Sequence, residues 1–368
     1  MKIIETDIST FNQNSDFYPE IDLLITIKSF DLQAIRKRYL ESKKSKSNRT
    51  GSVTRREVAE GGIAKMSIKE GQLFNVEILK KLKEPRGIDF YKGKFAISSE
   101  NKVFIIDEEL YEISNPWFSY IHTVNFHPVD QNKILISSSG YDAIFEYDYR
   151  KNTQTFEWFA WENGFENGFD PNTGEKVFLT RIPELAEIYD KEGINHIYIF
   201  DPESQTLPTA KRSAFINSVL YDTQNSKNII GTFFHEGAVY SININNNKTT
   251  KILSGLKNPH GGRRFSNGHL ATSTGDGRVV IQNKIKQILH FNKLLGKPDE
   301  LGEMEWLQNS AFMGSNLITI DSNRNCFVIC NLKKQMIDLI PYDINWAIQD
   351  IVIGNLDIKQ IELIKNVS

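Results

Sequence analysis

Between Tyr120 and Trp161 the chain reads YIHTVNFHPVDQNKILISSSGYDAIFEYDYRKNTQTFEWFAW. Alternating apolar runs are punctuated by a turn at Val129-Asp130-Gln131-Asn132, a second at Ser139-Gly140 and a third before the last run. Four antiparallel strands in about forty residues cannot bury both of their faces alone, so such a unit must stack against copies of itself. The pattern returns at Pro85, Phe215, Pro259 and Leu307. Each copy has an entering strand, a turn, an "ILISS"-like strand, a second turn, a "VFIID"-like strand and an outer strand. Long amphipathic helical patterns are scarce.

The two ends complete one another. Ile348-Gln349-Asp350-Ile351-Val352-Ile353-Gly354 reads as an entering strand with no full unit after it. Asp22-Leu23-Leu24-Ile25-Thr26-Ile27 reads as a second strand with none before it. Joined, with outer strands from residues 63–68 and 74–82, they make a composite unit that closes a ring and leaves no open sheet edge. The fold class predicted is an all-β, six-bladed β-propeller in one domain spanning 1–368. The stretch between Trp161 and Arg212, with NHIYIFDP, leaves room for a seventh blade as the alternative.

With the entering strands aligned, one column holds Arg86, His122, Asn217, His260, Gln308 and Gln349. The innermost strand of each blade lines the central channel, so these polar side chains are expected in a circle at its mouth. The loops joining second and third strands belong to the same face and add His235. Insertions at residues 30–62, 162–214 and 294–303 also fall on that side, where long loops build a binding wall or a lid. Aromatic residues near the second insertion (Phe156, Trp158, Phe159, Trp161, Phe165, Phe169) are candidates for an apolar pocket, with Phe156 and Trp158 assigned rather to inter-blade core. His127, His269 and His290 are read as structural, and His196 is unplaced.

The chain resembles the six-bladed propeller superfamily that includes gluconolactonase-like, strictosidine-synthase-like, NHL-repeat and arylsulfotransferase-like proteins. The resemblance rests on Pro85-Arg86-Gly87-Ile88, Ile216-Asn217-Ser218-Val219 and Asn258-Pro259-His260-Gly261-Gly262. It covers most of the chain through short, degenerate motifs and implies fold more strongly than activity. Gluconolactonase-like members hold a divalent ion with acidic and amide ligands, whereas the ring here contains no carboxylate. The arylsulfotransferase-like members, which are exported, have a His/Arg-rich mouth that Arg86, His122, Asn217 and His260 match more closely.

Composition narrows the partners. The formal net charge is -2, with 24% charged residues and no basic stripe interleaved with aromatics, so nucleic acid is not expected as a partner. The runs Arg36-Lys37-Arg38 and Lys43-Lys44-Ser45-Lys46 read as one solvated loop. MKIIETDISTF lacks a signal-peptide core and no apolar run spans a bilayer, giving a soluble, cytoplasmic expectation without membrane partners. Cys326 and Cys330, the sole cysteines, read as same-face residues of one strand. Glycine-rich phosphate loops, HExxH, GxSxG and CxxC are all absent.

The expected function is therefore a small-molecule enzyme of open reaction class at the channel mouth. Its catalytic candidates are His122, His260, Arg86 and Asn217. In the metal form His122, His235 and His260 bind Fe²⁺ or Zn²⁺; in the metal-free form one imidazole is general base or nucleophile and Arg86 holds an anion, as in a transferase or lyase. The alternative is a non-catalytic propeller that presents its loops to a protein partner.

Overall fold

The computed structural model describes residues 1–42, 49, 51–55 and 57–368. The basic run at 43–46 lies outside them. Among the described residues, six sheets contain a four-stranded antiparallel unit and a seventh has three strands. Blade 1 is the composite one: Ala347–Ile353 pairs with Ile21–Ser29, which continues through Glu60–Lys69 to Gln72–Lys83. Blade 2 begins at Ile88–Tyr91, blade 3 at Ile121–Phe126, blade 4 at Ile216–Tyr221, blade 5 at Pro259–Phe265 and blade 6 at Leu307–Met313.

The alternation of each strand places apolar side chains on both faces of every blade, because each blade is sandwiched by two others. Blades 2 and 3 share a layer built on Ile105, Ile121 and Phe145. Blades 3 and 4 share Ile144, Trp158 and Phe233; blades 4 and 5, Ile230, Val239 and Val280. Blades 5 and 6 meet at Val279, Leu317 and Val328, a layer that includes both buried cysteines. Blades 6 and 1 meet at Ile25, Ile27, Ile318 and Ile348, and blades 1 and 2 at Leu24, Ile63 and Phe95. The ring is thus closed by burial at every joint.

The termini add elements that the repeat does not announce. Lys2–Asp7 pairs in parallel with Ile285–His290 at the rim of blade 5, and Asn12–Gln13 with Met336–Pro341 at the rim of blade 6. Both cover outer edges that would otherwise present unpaired backbone groups.

The insertions are ordered pieces of structure. The first contains α1 (Leu32–Ser42), where Arg36 is buried and its Nη2 donates to the carbonyls of Ser322 and Asn323. This corrects the solvated-loop reading: guanidinium donors satisfied by backbone carbonyls can be buried where an unpartnered charge cannot. The second insertion holds α2 (Pro183–Glu192) and the three-stranded sheet, in which Lys176–Thr180 and His196–Tyr198 run parallel. That arrangement lacks the four-stranded antiparallel form of a blade. His196 sits in it, with Nδ1 against the Ile194 carbonyl. At the C-terminus, α3 (Ile358–Lys365) starts with a capping box between Asp357 and Gln360. It lays Ile364 into the layer between blades 1 and 2.

Asp142 fastens the second insertion to the ring. It is fully buried, with a positive φ of 53°. Its carboxylate accepts from Ser213 Oγ (2.9 Å), Ala214 N (3.0 Å) and Ile216 N (3.0 Å). Asp142→Ala strands these three donors, so a loss of about 3 kcal/mol or more is expected in chemical denaturation. A change under about 1 kcal/mol would show that the donors find other partners.

Candidate functional site

The entering strands deliver their ring residues through a repeated irregularity. The register of blade 3 skips His122, that of blade 4 skips Asn217, and that of blade 1 skips Gln349. Blade 6 skips Gln308 and Asn309, and in blade 5 the shift follows His260. A β-bulge re-aims the residue it leaves unpaired. Two residues before four of the ring positions the chain also turns through positive φ, at Glu84, Tyr120, Phe215 and Asn258. None is glycine, and each such residue costs on the order of 1 kcal/mol or more. Strain repeated at one axial level, in four blades, marks the place that the fold holds under tension.

Arg86, His122, His260, Gln308 and Gln349 line one cavity of about 140 Å³ at the mouth. Asn217 does not line it: its Nδ2 donates to the Pro259 carbonyl at 2.8 Å, tying blade 4 to blade 5. The polar floor is a network. Arg86 pairs with Glu84 and donates from Nη1 to His122 Nε2 at 2.7 Å. Lys28 Nζ donates to Gln349 Oε1 at 3.0 Å, and Gln349 Nε2 reaches Gln308 Oε1 at 3.3 Å.

The walls are aromatic. Tyr39 of α1 stacks on Trp306 with ring centres 5.5 Å apart, and Phe215 and Phe234 line the other part. The four aromatics left as pocket candidates near the second insertion are absent from the lining: Phe159 and Trp161 pack into the layer between blades 2 and 3, and Phe165 against Phe233 and Tyr240, while Phe156 and Trp158 do pack between blades 3 and 4. The first two insertions clasp across the mouth: Ala210 N donates to the Ser52 carbonyl at 3.0 Å and Arg55 Nη1 to that of Ser204 at 2.6 Å. Gly51 sits at φ 126°, and a Cβ there would lie 2.4 Å from Thr209 Cγ2, so the closest point of the clasp requires glycine.

The histidines separate by what holds them. His122 Nδ1 lies 3.0 Å from the Tyr120 carbonyl, which can only accept; Nδ1 therefore carries the proton and Nε2 accepts from Arg86. Burial first, then the Arg86 charge, holds this imidazole well below its usual pKa. His235 donates from Nε2 to the Thr209 carbonyl at 2.9 Å, packs against Phe215 and Phe234, and is outside the cavity lining. His260 Nδ1 faces Thr274 Oγ1 (2.8 Å) and the Asn258 carbonyl (3.3 Å), so its proton is on Nδ1 and Nε2 keeps a lone pair. Burial, then the charge of Lys28, lowers its pKa to about 3.

These contacts do not suit the three-histidine metal centre. The Nε2 of His122 is engaged by a guanidinium, which repels a cation, and His235 is turned to the second insertion. Among the described residues no group of three or more His, Cys, Asp or Glu side chains is placed to hold a metal ion. His127 has a structural contact: its Nδ1 accepts from the backbone of Val129 and Asp130.

Fold and mouth together define a β-propeller with a polar-floored, aromatic-walled cavity at one end of its channel. No family model and no curated protein matches the chain. Among solved structures, it is similar to a chain from the crystal structure of a nidogen/laminin complex. The TM-score is 0.54 at 10% identity, over 90% of this chain and 98% of that one. It is also similar to a protein of unknown function from Bacteroides caccae, with a TM-score of 0.50 at 12% identity, over 91% and 98%. These likenesses establish the β-propeller fold. No helix among the described residues is long and apolar enough to cross a membrane.

Proposed function

We propose that the chain is a small-molecule enzyme whose substrate occupies the mouth cavity and gives up a proton to His260. The observation that carries this reading is the state of that imidazole. It is neutral, its tautomer is fixed by Thr274 and Asn258, and its Nε2 lone pair is the ring position with no hydrogen bond among the described residues. A base must be unprotonated before it can accept, and one held in a single tautomer loses no time in the wrong one. Lys28 and Arg86 stand on the same lining and would stabilise the negative charge left on the substrate when its O–H or C–H proton departs. A base of such low pKa is weak in the empty cavity. Negative charge arriving with the substrate offsets the two cations and strengthens it.

Turnover found by screening small organic substrates should fall by about 10²-fold or more in His260→Asn, since a positioned general base contributes about that much. Full turnover by a folded His260→Asn protein would refute the assignment.

A protein-interaction role is the second reading, and one surface favours it. The outer strand of blade 1, Gln72–Lys83, exposes Phe74, Val76 and Ile78 at alternate positions, each 40% exposed or more.

A further inference from the structure

Behind the main cavity lies a smaller chamber of about 20 Å³, lined by Arg55, Arg86, Arg212, His122 and neighbours. The two spaces share Ser52, Arg86, His122, Thr209 and Phe215, so they are parts of one site. Their combined described lining carries five cationic side chains, Lys28, Arg38, Arg55, Arg86 and Arg212, against the single carboxylate of Glu84. That is a formal excess of four positive charges in a chain whose net charge is -2. Cations gathered in a recess of low dielectric focus a positive potential, and the ligand that relieves it is an anion. The guanidinium planes are held by aromatic rings, Arg212 over Tyr120 (5.2 Å) and Phe215 (4.9 Å), and Arg86 over Tyr120 (5.6 Å). Preset in this way, they lose little freedom on meeting a ligand.

Size selects among anions. The chamber has room for about one oxygen-sized group, since a single water needs roughly 10–15 Å³. A planar carboxylate seats one of its two oxygens there and the other in the main cavity; a tetrahedral phosphate or sulfate would seat one of four and leave three beside the aromatic walls. We infer that the substrate is a flat organic carboxylate. Its acid group lies between Arg86 and Arg212, and its body lies in the main cavity beside the Tyr39–Trp306 pair and Phe215. This inference rests on the small-molecule reading above and names the class of molecule for it.

The test uses probes that differ in charge or head-group shape: 2-naphthoate, its neutral amide 2-naphthamide, and 2-naphthyl phosphate. Each is titrated into the full chain by fluorescence. Naphthoate is expected to bind at least about tenfold more tightly than naphthamide, through charge-assisted hydrogen bonds, and to lose part of that preference in added salt. Arg212→Gln should abolish the preference for the acid over the amide. Lys28→Met, on a different blade element, should reduce it independently, which keeps the test decisive if the Arg212 variant fails to fold. Equal affinity for acid and amide overturns the anionic class while leaving a small-molecule cavity in place. Tighter binding of the phosphate overturns the carboxylate. No binding of any probe at about 10 mM, a free energy under about 3 kcal/mol, overturns the inference as well. The His260→Asn experiment has turnover as its own readout and is decided separately.

Discussion

Truncation after Tyr342 is expected to abolish cooperative unfolding. The segment lost contains Ala347–Ile353, the innermost strand of blade 1, and α3 behind it. Trp346, Ile348 and Ile351 are buried in the layer between blades 6 and 1, and Leu356, Ile364 and Val367 in that between blades 1 and 2. Six buried apolar side chains at about 1.5–3 kcal/mol each amount to roughly 10 kcal/mol, the scale of a whole domain's stability. One sheet edge also opens, that of Ile21–Ser29, and the flanks of blades 6 and 2 lose their cover. Circular dichroism during thermal melting is the measurement. Co-expression of the missing 343–368 fragment should restore the transition, because the lost contacts are non-covalent. A truncated protein that melts like the full chain would show that blade 1 does not close the ring.

The architecture was legible because it is written several times over. Each blade repeats its own alternation, so a weak signal in one strand is corrected by its copies. Even the split blade shows itself by what each end lacks. The level of the ring residues was legible for the same reason, since His122, Asn217, His260, Gln308 and Gln349 fall on the bulged entering strands and Arg86 just before that of blade 2. Direction within that level was not. Whether a bulged residue faces the cavity or a neighbouring blade is set by local hydrogen bonds, such as that of Asn217 to Pro259. His235 sits in a loop, where its contact with the Thr209 carbonyl, not the blade pattern, sets its direction.

Features without a repeat escaped altogether. Lys2–Asp7 has too little apolar alternation to declare a strand and is defined by the rim it covers. Trp306, just before the entering strand of blade 6, and Tyr39, from the first insertion, meet through tertiary packing alone. Lys28 did leave a signal: it is a lone positive charge ending the apolar run IDLLITI, an odd residue for a strand buried on both faces.

The mouth should make the protein markedly acid-sensitive. His122, His235 and His260 are all held unprotonated by burial, reinforced by nearby cations, with His235 and His260 brought down to about 3. Unfolded, each would titrate near 6.5. Below that value the unfolded chain binds three protons that the native site refuses, so stability is full above about pH 6.5 and is lost as pH falls. Each proton is worth about 1.4 kcal/mol per pH unit, or about 4 kcal/mol per unit for three. Asp350, buried, and Asp89, half-buried, act oppositely. Burial raises both to about 6, so the native state binds their protons earlier than the unfolded chain does. Between about pH 6 and pH 4 two protons gained by the native state offset two of the three, so these five groups together contribute a slope of about 1.4 kcal/mol per unit. Below about pH 4 the unfolded aspartates are protonated too, the offset ends, and the slope steepens toward about 4. Denaturation by urea at stepped pH should show that break. His260→Asn should remove one proton from the balance and flatten the curve between pH 6 and 4. Imidazole resonances of His122 and His260 that titrate near 6.5 in the native protein would contradict the buried, neutral state on which both the slope and the general-base role depend.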